Sequence, residues 1–433
     1  MNLTERLNAL RTLNPVLKDA LLLAFMLLLL VFRNPRIFTW PEPWIEDMMI
    51  FIRDEYNTGF PDTAFAVYAG YIHLLPRIIT WIAMKSDPEN VMRVMSWSVL
   101  IIKLLAFFLI YKSKEISSAA VKFSLLAYLV LLPFCSEIYN NVTNLQWWLI
   151  PLMGVIIIKR ETGISGLVVS VIMLILTGLT GVNSVLFALP CACLMLMVRT
   201  KYCTAKCLTV IACAGAQLYV LCASGRVSGG GTLSAVASYI SETGGIDLIH
   251  LFVIRVIYHT LFSFGSEKYL TGPRSYADIL VFLLFIYILV LNLRHCRRQP
   301  FVWFIFLFAS VYTAAIFCQL IKSEGVSWHI SSRFGGERYF VFLRICNFVL
   351  LVSSIDMLFR KVLGRDGYRK AMICLGILLS AVLLKNYPVF FKFEHQYYAD
   401  VERFRSAEPG TPVTVHFPPD YFPAGRSIVL IKK

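Results

Sequence analysis

An unbroken apolar run, Ala20-Leu-Leu-Leu-Ala-Phe-Met-Leu-Leu-Leu-Leu-Val-Phe32, lies shortly ahead of the aromatic and acidic stretch Trp40-Pro-Glu-Pro-Trp-Ile-Glu46-Asp47. With its flanks, residues 17–34, the run is long enough to cross the hydrocarbon core of a bilayer as one helix. Further apolar runs alternate with short basic connections along the rest of the chain. The pattern predicts an all-α polytopic membrane protein with an acid pair just outside its first helix.

The composition supports the membrane class. Of 433 residues, 58% are hydrophobic and 15% are charged, and the mean hydropathy of +0.69 is too high for a soluble domain. The net charge of +15 raises the alternative of nucleic-acid binding. However, the Lys and Arg residues lie in short clusters between apolar runs, which is the pattern that orients membrane proteins. We therefore expect membrane lipids with phosphate groups as partners, and no nucleic acid.

The lengths of the apolar runs predict about eleven membrane spans of about 20 residues each. If the amino terminus is inside, every basic cluster between spans falls on the inner side, as the positive-inside bias requires. This orientation leaves a long first loop, residues 33–90, on the outer side. The predicted spans are 17–34, 91–111, 118–135, 147–158, 164–181, 183–198, 205–223, 276–293, 300–321, 338–358 and 370–387.

We divide the chain into a transmembrane catalytic domain, residues 1–387, and a small outer tail, residues 388–433. Within the first loop, Met48–Tyr56 and Ala66–Met84 have mixed apolar and polar faces, which is typical of helices that lie on the bilayer surface. The alternative is that these helices serve only to pack the interface.

Two further segments differ from simple spans. In the tail, alternating apolar residues at 413–417 and 428–432 predict two short β-strands around a Pro-rich loop. The apolar stretch 247–264 contains ionisable residues, and treating it as a simple span would invert every later basic cluster. We therefore expect this stretch to be peripheral. Its ionisable residues are His250, Arg255 and His259.

The first loop gathers residue types that carry chemistry. It contains the acid pair Glu46 and Asp47, followed by the string Tyr68-Ala-Gly-Tyr71-Ile-His73-Leu-Leu-Pro-Arg77. A passive anchor does not need carboxylates, phenols, an imidazole and a guanidinium in one loop. A second polar string, Asn141-Val-Thr-Asn144-Leu-Gln146-Trp147, belongs to a short outer turn. We predict that the first loop holds the active site.

One membrane helix, a long outer loop with an acidic residue, and then many spans is a layout that resembles the GT-C superfamily of integral membrane glycosyltransferases. The string Trp44-Ile-Glu46-Asp47 and the two strings quoted above are similar to those of bacterial members, including phage-type O-antigen glucosyltransferases. The layout covers most of the chain and the strings a small part of it. The resemblance implies polyprenyl-phosphate sugars as donors and a catalytic carboxylate in the first outer loop.

Sugar transfer from a polyprenyl phosphate to an alcohol needs a base at the acceptor hydroxyl and cations at the departing phosphate, where charge develops. The resemblance places the base at the acid pair, with Asp47 slightly favoured over Glu46. Adjacent residues point in different directions on a helix, so the other acid would orient a sugar hydroxyl or pair with a cation. The alternative is that both acids cap the helix that follows them.

The remaining candidates divide between the phosphate and the sugar. His73 and Arg77 are four residues apart, which makes them neighbours on a helical surface and, with Tyr71, a suitable cradle for a lipid phosphate. Arg338, with Arg333 as second choice, is the other phosphate candidate. Anchoring at the membrane interface is the alternative role. Amides and aromatic rings bind sugars. The residues predicted for that role are Tyr68, Trp44, Asn141, Asn144, Gln146 and Trp147.

Together these features predict an inverting glycosyltransferase of the bacterial inner membrane with a periplasmic active site. The reaction would move a hexose, with glucose as first choice, from undecaprenyl phosphate to a lipid-linked O-antigen or related lipopolysaccharide glycan. We expect no cofactor; a divalent metal is dispensable rather than excluded, because Arg side chains can neutralise a phosphate leaving group. A donor flippase and a donor synthase are the expected functional partners. The alternative classes are an O-antigen polymerase or ligase and a lipid-linked sugar flippase or transporter.

Overall fold

The computed structural model of this chain is predominantly helical, with two short β-hairpins among the residues it describes. A helix occupies each position at which a membrane span was predicted. The residues described are 14–116, 118–133, 135–225, 232–243, 245–261, 276–295, 299–322, 326, 336–384, 396–417 and 426–432.

Long apolar helices build the bundle. Within the described ranges, seven helices are long and apolar enough to cross a membrane, which confirms an all-α membrane protein. Four more have 12, 14, 15 and 16 residues and are shorter than the bilayer core is thick. The helices at predicted spans are Pro15–Arg33, Val91–Lys112, Ala119–Val130, Leu145–Ile158, Ile164–Gly178, Asn183–Val198, Lys201–Ala223, Tyr276–His295, Pro300–Lys322, Val341–Val362 and Arg365–Leu384.

The first loop is only partly as predicted. A helix begins at the acid pair, as a π-helix over Asp47–Ile52, and continues as an α-helix over Arg53–Asn57. We name these two segments together the first-loop helix. The prediction of one helix over Ala66–Met84 is wrong in its first half. There, Val67–Tyr68 and Tyr71–Ile72 pair as an antiparallel hairpin, and the helix runs only over Leu74–Ala83.

The hairpin forms because Ala69 and Gly70 both adopt positive φ angles, of 54° and 92°, as a tight two-residue turn requires. Its second strand is tied into the bundle. The Ile72 amide donates to Gln217 Oε1 at 2.9 Å, and the Ile72 carbonyl accepts from the Gly181 amide at 2.9 Å. One face of Leu74–Ala83 is buried as well. This part of the loop therefore packs onto the bundle.

The described residues of the stretch 247–264 are largely buried against other helices, and they are not among the helices long and apolar enough to cross a membrane, so the peripheral position stays a prediction. The stretch is helical over Ile246–Phe252, Val253–Ile257 and Tyr258–Thr260 and packs against Val341–Val362. Its ionisable residues are accommodated because they have partners inside the protein. The His250 imidazole contacts the Asp278 carboxylate, and Arg255 pairs with Glu337.

The tail forms the two predicted strands. Pro412–Phe417 and Arg426–Ile431 pair antiparallel, with Val415 opposite Ile428. The alternate residues of the first strand are buried, and a helix over Gln396–Ser406 packs against that strand. We name the described residues 396–417 and 426–432 the tail. The tail lies on the first loop, which it contacts through side chains described below.

Candidate active site

Asp47 ties the first-loop helix to the turn that precedes helix Leu145–Ile158. The carboxylate is fully buried, and its Oδ1 accepts from the Thr143 amide at 2.8 Å and the Thr143 hydroxyl at 2.5 Å. Its Oδ2 accepts from the Val142 amide at 3.3 Å. Burial raises the pKa of Asp47 to about 6, although the hydrogen bonds from Thr143 oppose that rise. This acid is therefore engaged in holding the turn.

Glu46 differs from its neighbour because its side chain is only partly buried and is not engaged in this way. Its Oε2 is sheltered from solvent, and among the described residues no donor lies within hydrogen-bonding distance of it. Its charge raises the pKa values of Asp47, Glu137 and Arg338, so Glu46 lies within electrostatic range of all three. Glu46 is thus the acid of the pair that has an unbonded carboxylate oxygen.

Glu137 adds a third carboxylate that the sequence reasoning did not select. Its Oε1 accepts from Arg338 Nη1 at 2.6 Å, and its Oε2 from the Arg338 amide at 3.4 Å. Burial raises the pKa of Glu137, while the Arg338 guanidinium beside it opposes the rise. The signal that could have identified it is its position in the same outer turn as the selected amides.

Aromatic rings flank the guanidinium. Arg338 lies over the ring of Tyr339, 5.1 Å from its centroid, and Tyr339 meets Trp147 edge to face at 5.6 Å. The Trp147 indole donates to Asn144 Oδ1 at 3.2 Å. The side chains of Arg338, Tyr339 and Trp147 are only partly buried, so they can contact a ligand. This combination of a cation and two ring faces suits a phosphorylated sugar.

The selected amides lie behind this surface. The Asn141 and Asn144 side chains both donate to the Glu137 carbonyl, at 2.7 Å and 2.9 Å, and so build the turn itself. Gln146 is buried against Gly181, where a Cβ would lie 2.1 Å from Gln146 Oε1. The structure therefore places these three amides in the scaffold, and only Trp147 of this string lies at the accessible surface.

His73 and Arg77 occupy a separate cluster at the start of helix Leu74–Ala83. The buried His73 ring lies 5.5 Å from Tyr68, 4.8 Å from Tyr71 and 5.7 Å from Phe51. Burial, and then the Arg77 charge, lower the pKa of His73 to about 3, so the imidazole is neutral at pH 7. Tyr68, predicted to bind sugar, and Tyr71, predicted to bind phosphate, therefore pack their rings against a neutral imidazole.

Arg77 is also buried, and its charge is compensated. Its Nη2 donates to Asp54 Oδ2 at 2.9 Å, and its guanidinium lies 4.9 Å from the centre of the Phe51 ring. Neither His73 nor Arg77 therefore presents free positive charge, and the structure does not support the cradle predicted from them. Both residues instead contact the first-loop helix, His73 through Phe51 and Arg77 through Asp54.

The last predicted residues are placed as follows. Trp44 is half-buried, and its carbonyl accepts from the Met48 amide at 3.1 Å at the start of the first-loop helix. Arg333 lies outside the described residues. In the part of the chain that the structure describes, no group of three His, Cys, Asp or Glu side chains is arranged to hold a metal ion.

Cations from distant helices support the turn that carries Glu137. Arg33 donates to the carbonyls of Val130 and Leu132 at 2.7 Å and 2.6 Å. Lys103, buried within its helix, donates to the Tyr139 carbonyl and lies 4.8 Å from the Trp148 ring. These bonds satisfy carbonyls that the end of helix Ala119–Val130 and the following turn would otherwise leave unpaired.

Arg338, Tyr339 and Trp147 thus lie together with Glu137, and Glu46 lies within electrostatic range of Arg338, Glu137 and Asp47. The arrangement combines an available carboxylate with a cation and aromatic faces. No protein-family model matches this chain, and no curated protein matches it either.

Proposed function

We propose that this protein is an inverting glycosyltransferase that moves a hexose from undecaprenyl phosphate to a lipid-linked surface glycan. The observation that carries the proposal is Glu46: its sheltered carboxylate oxygen has no donor among the described residues, and its charge lies within electrostatic range of Glu137, Arg338 and Asp47. Glucose is the first choice of sugar. The bacterial inner membrane, with the site facing the periplasm, is the proposed location.

In this reaction Glu46 accepts the proton of the acceptor hydroxyl while the hydroxyl oxygen of the acceptor attacks the anomeric carbon. The bond from that carbon to the phosphate oxygen breaks, and the electron pair leaves with the phosphate. A single displacement of this kind inverts the anomeric configuration. Asp47 does not react; it holds Val142 and Thr143, and through them the turn that carries Glu137.

Arg338 is proposed to stabilise the charge that develops on the leaving phosphate. Its ion pair with Glu137 aims the guanidinium before substrate binds. Tyr339 and Trp147 supply ring faces against which a sugar can stack.

The test is transfer by purified protein from undecaprenyl-phosphate glucose to a lipid-linked glycan. We expect Glu46→Gln to lower kcat by about 10²–10⁴-fold, the usual contribution of a general base, while the variant folds normally. Asp62→Asn, which alters an exposed acid of the same loop, is the matched control and should keep full activity. Absence of transfer by wild type from any polyprenyl-phosphate sugar would refute the proposal and favour a polymerase or transporter.

A further inference from the structure

The tail covers one face of the first-loop helix, and the bundle contacts another. Met48, Ile52 and Tyr56 recur at every fourth residue and line a cavity of about 260 Å³ between the helix and the tail. The tail contributes mainly apolar side chains to this cavity. They are Tyr397, Val401, Phe404, Val415 and Leu430.

The other face of the helix is fixed to the bundle. Asp47 accepts from Thr143, and Asp54 pairs with Arg77 at 2.9 Å. Phe51, between these two acids, lies against the His73 ring. The helix is therefore held between the bundle and the tail, and a shift of the tail would be transmitted to it.

Two tyrosines form hydrogen bonds between the tail and the part of the first loop that flanks the acid pair. The Tyr56 hydroxyl donates to the Ile431 carbonyl at 2.8 Å, and its ring meets Phe404 edge to face at 5.7 Å. The Tyr398 hydroxyl of the tail donates to the Pro41 carbonyl at 2.8 Å. These contacts lie on either side of the acid pair along the chain.

Glu46 depends on this support more than Asp47 does. Asp47 has its own bonds to the turn, whereas no described donor bonds to Glu46 Oε2, so the position of Glu46 follows the backbone that carries it. We infer that the tail is a working part of the active site, and that Tyr56 and Tyr398 are positioning residues that hold Glu46 in place. The inference rests on the proposed function for its effect on the rate.

The test compares Tyr56→Phe and Tyr398→Phe with wild type in the full-length protein. Each variant removes one hydroxyl and keeps the ring. We expect kcat to fall about 2–10-fold in each, as for the loss of one hydrogen bond, with KM for the donor within twofold of wild type. Tyr56→Ala, which also removes the ring contact with Phe404, should fall further than Tyr56→Phe. A merely structural role would lower the amount of folded protein without this change in kcat per molecule.

Arg405→Gln is the matched control. Arg405 joins the tail to Glu89 at 3.4 Å and does not contact the first-loop helix, so its loss should leave kcat unchanged. A fall in kcat equal to that of Tyr56→Phe, or full kcat in all tyrosine variants, would overturn the inference.

Amide hydrogen exchange separates this inference from the proposed function. Residues 47–57 should exchange faster in Tyr56→Phe than in wild type whether or not any sugar is transferred. If wild type transfers no sugar but exchange rises in this way, the proposed function fails while the mechanical coupling stands. Unchanged exchange in Tyr56→Phe and Tyr56→Ala would exclude the coupling itself.

Discussion

The adjacent acids Glu46 and Asp47 lie in different environments because Asp47 is hydrogen-bonded to the distant turn that contains Val142 and Thr143. Sequence reasoning identified Glu46 and Asp47 as a pair and slightly favoured Asp47 as the base. In the structure, Asp47 is buried and accepts hydrogen bonds from Val142 and Thr143, whereas one carboxylate oxygen of Glu46 has no described donor. A contact between residues nearly a hundred positions apart is not visible in local sequence, so the choice could not be made there.

The burial of Asp47 predicts a pH-dependent stability. Its pKa rises from 3.8 to about 6 in the folded state, so the stability it contributes is present below pH 4 and is lost as the pH rises through 6. Relative to Asp47→Asn, wild type should lose about 2 kcal/mol of unfolding free energy between pH 4.5 and pH 7.5. Unfolding in mixed micelles at both pH values measures this, with Asp62→Asn as the control. An equal difference between the two proteins at both pH values would contradict the assignment.

At the scale of elements, apolar length predicted the helices well, and local turn chemistry was the source of error. The stretch 66–84 has a helical pattern of apolar residues, but Ala69 and Gly70 adopt positive φ and turn its first part into a hairpin. A Gly preceded by a small residue between β-forming residues was the available signal. The stretch 247–264 shows another limit of local sequence: its ionisable residues have partners, Asp278 and Glu337, that lie far along the chain.

The connection between helices Ile164–Gly178 and Asn183–Val198 offers a test at this scale. Gly181 has φ +78°, and a Cβ there would lie 2.1 Å from Gln146 Oε1. Gly181→Ala should therefore lower the unfolding free energy by about 1–3 kcal/mol, through backbone strain and displacement of Gln146.

Gly154→Ala is the matched control for Gly181→Ala. Gly154 lies inside a helix with nothing within 4 Å of an added Cβ, and its substitution should stabilise the protein by about 0.5–1 kcal/mol. Thermal unfolding of both variants, measured side by side, decides the matter. Equal effects of the two substitutions would show that the approach of Gln146 to Gly181 is unimportant.

At the scale of the whole molecule, the site is assembled from parts that are remote in sequence. Lys103 bonds the turn at 136–144 through the Tyr139 carbonyl, Arg33 bonds the carbonyls of Val130 and Leu132 that precede it, and the turn carries the acid that pairs with Arg338. Membrane class and helix positions could be predicted because they follow from apolar length. The assembled site could not, because it depends on which buried cations meet which carbonyls.

Lys103 tests this view of the turn. Lys103→Met keeps most of the side-chain volume but leaves the Tyr139 carbonyl without its donor, which should cost about 1–3 kcal/mol of unfolding free energy. We also expect faster amide exchange at residues 136–144. Lys122→Met, at a part-buried lysine that bonds the Ser113 carbonyl, is the control and should leave exchange in that turn unchanged. Unaltered exchange in Lys103→Met would show that the turn does not depend on this cation.

The contact between the first-loop helix and the tail also concerns the order in which the protein is made. A ribosome that adds about 5–20 residues per second completes residue 432 of the tail roughly 20–75 seconds after the first-loop helix. Until then Tyr56 can neither donate its hydrogen bond to the Ile431 carbonyl nor pack against the Phe404 ring. We expect a nascent or prematurely terminated chain to insert into the membrane in an inactive form. The tail would then couple the onset of activity to the synthesis of its own helix and strands.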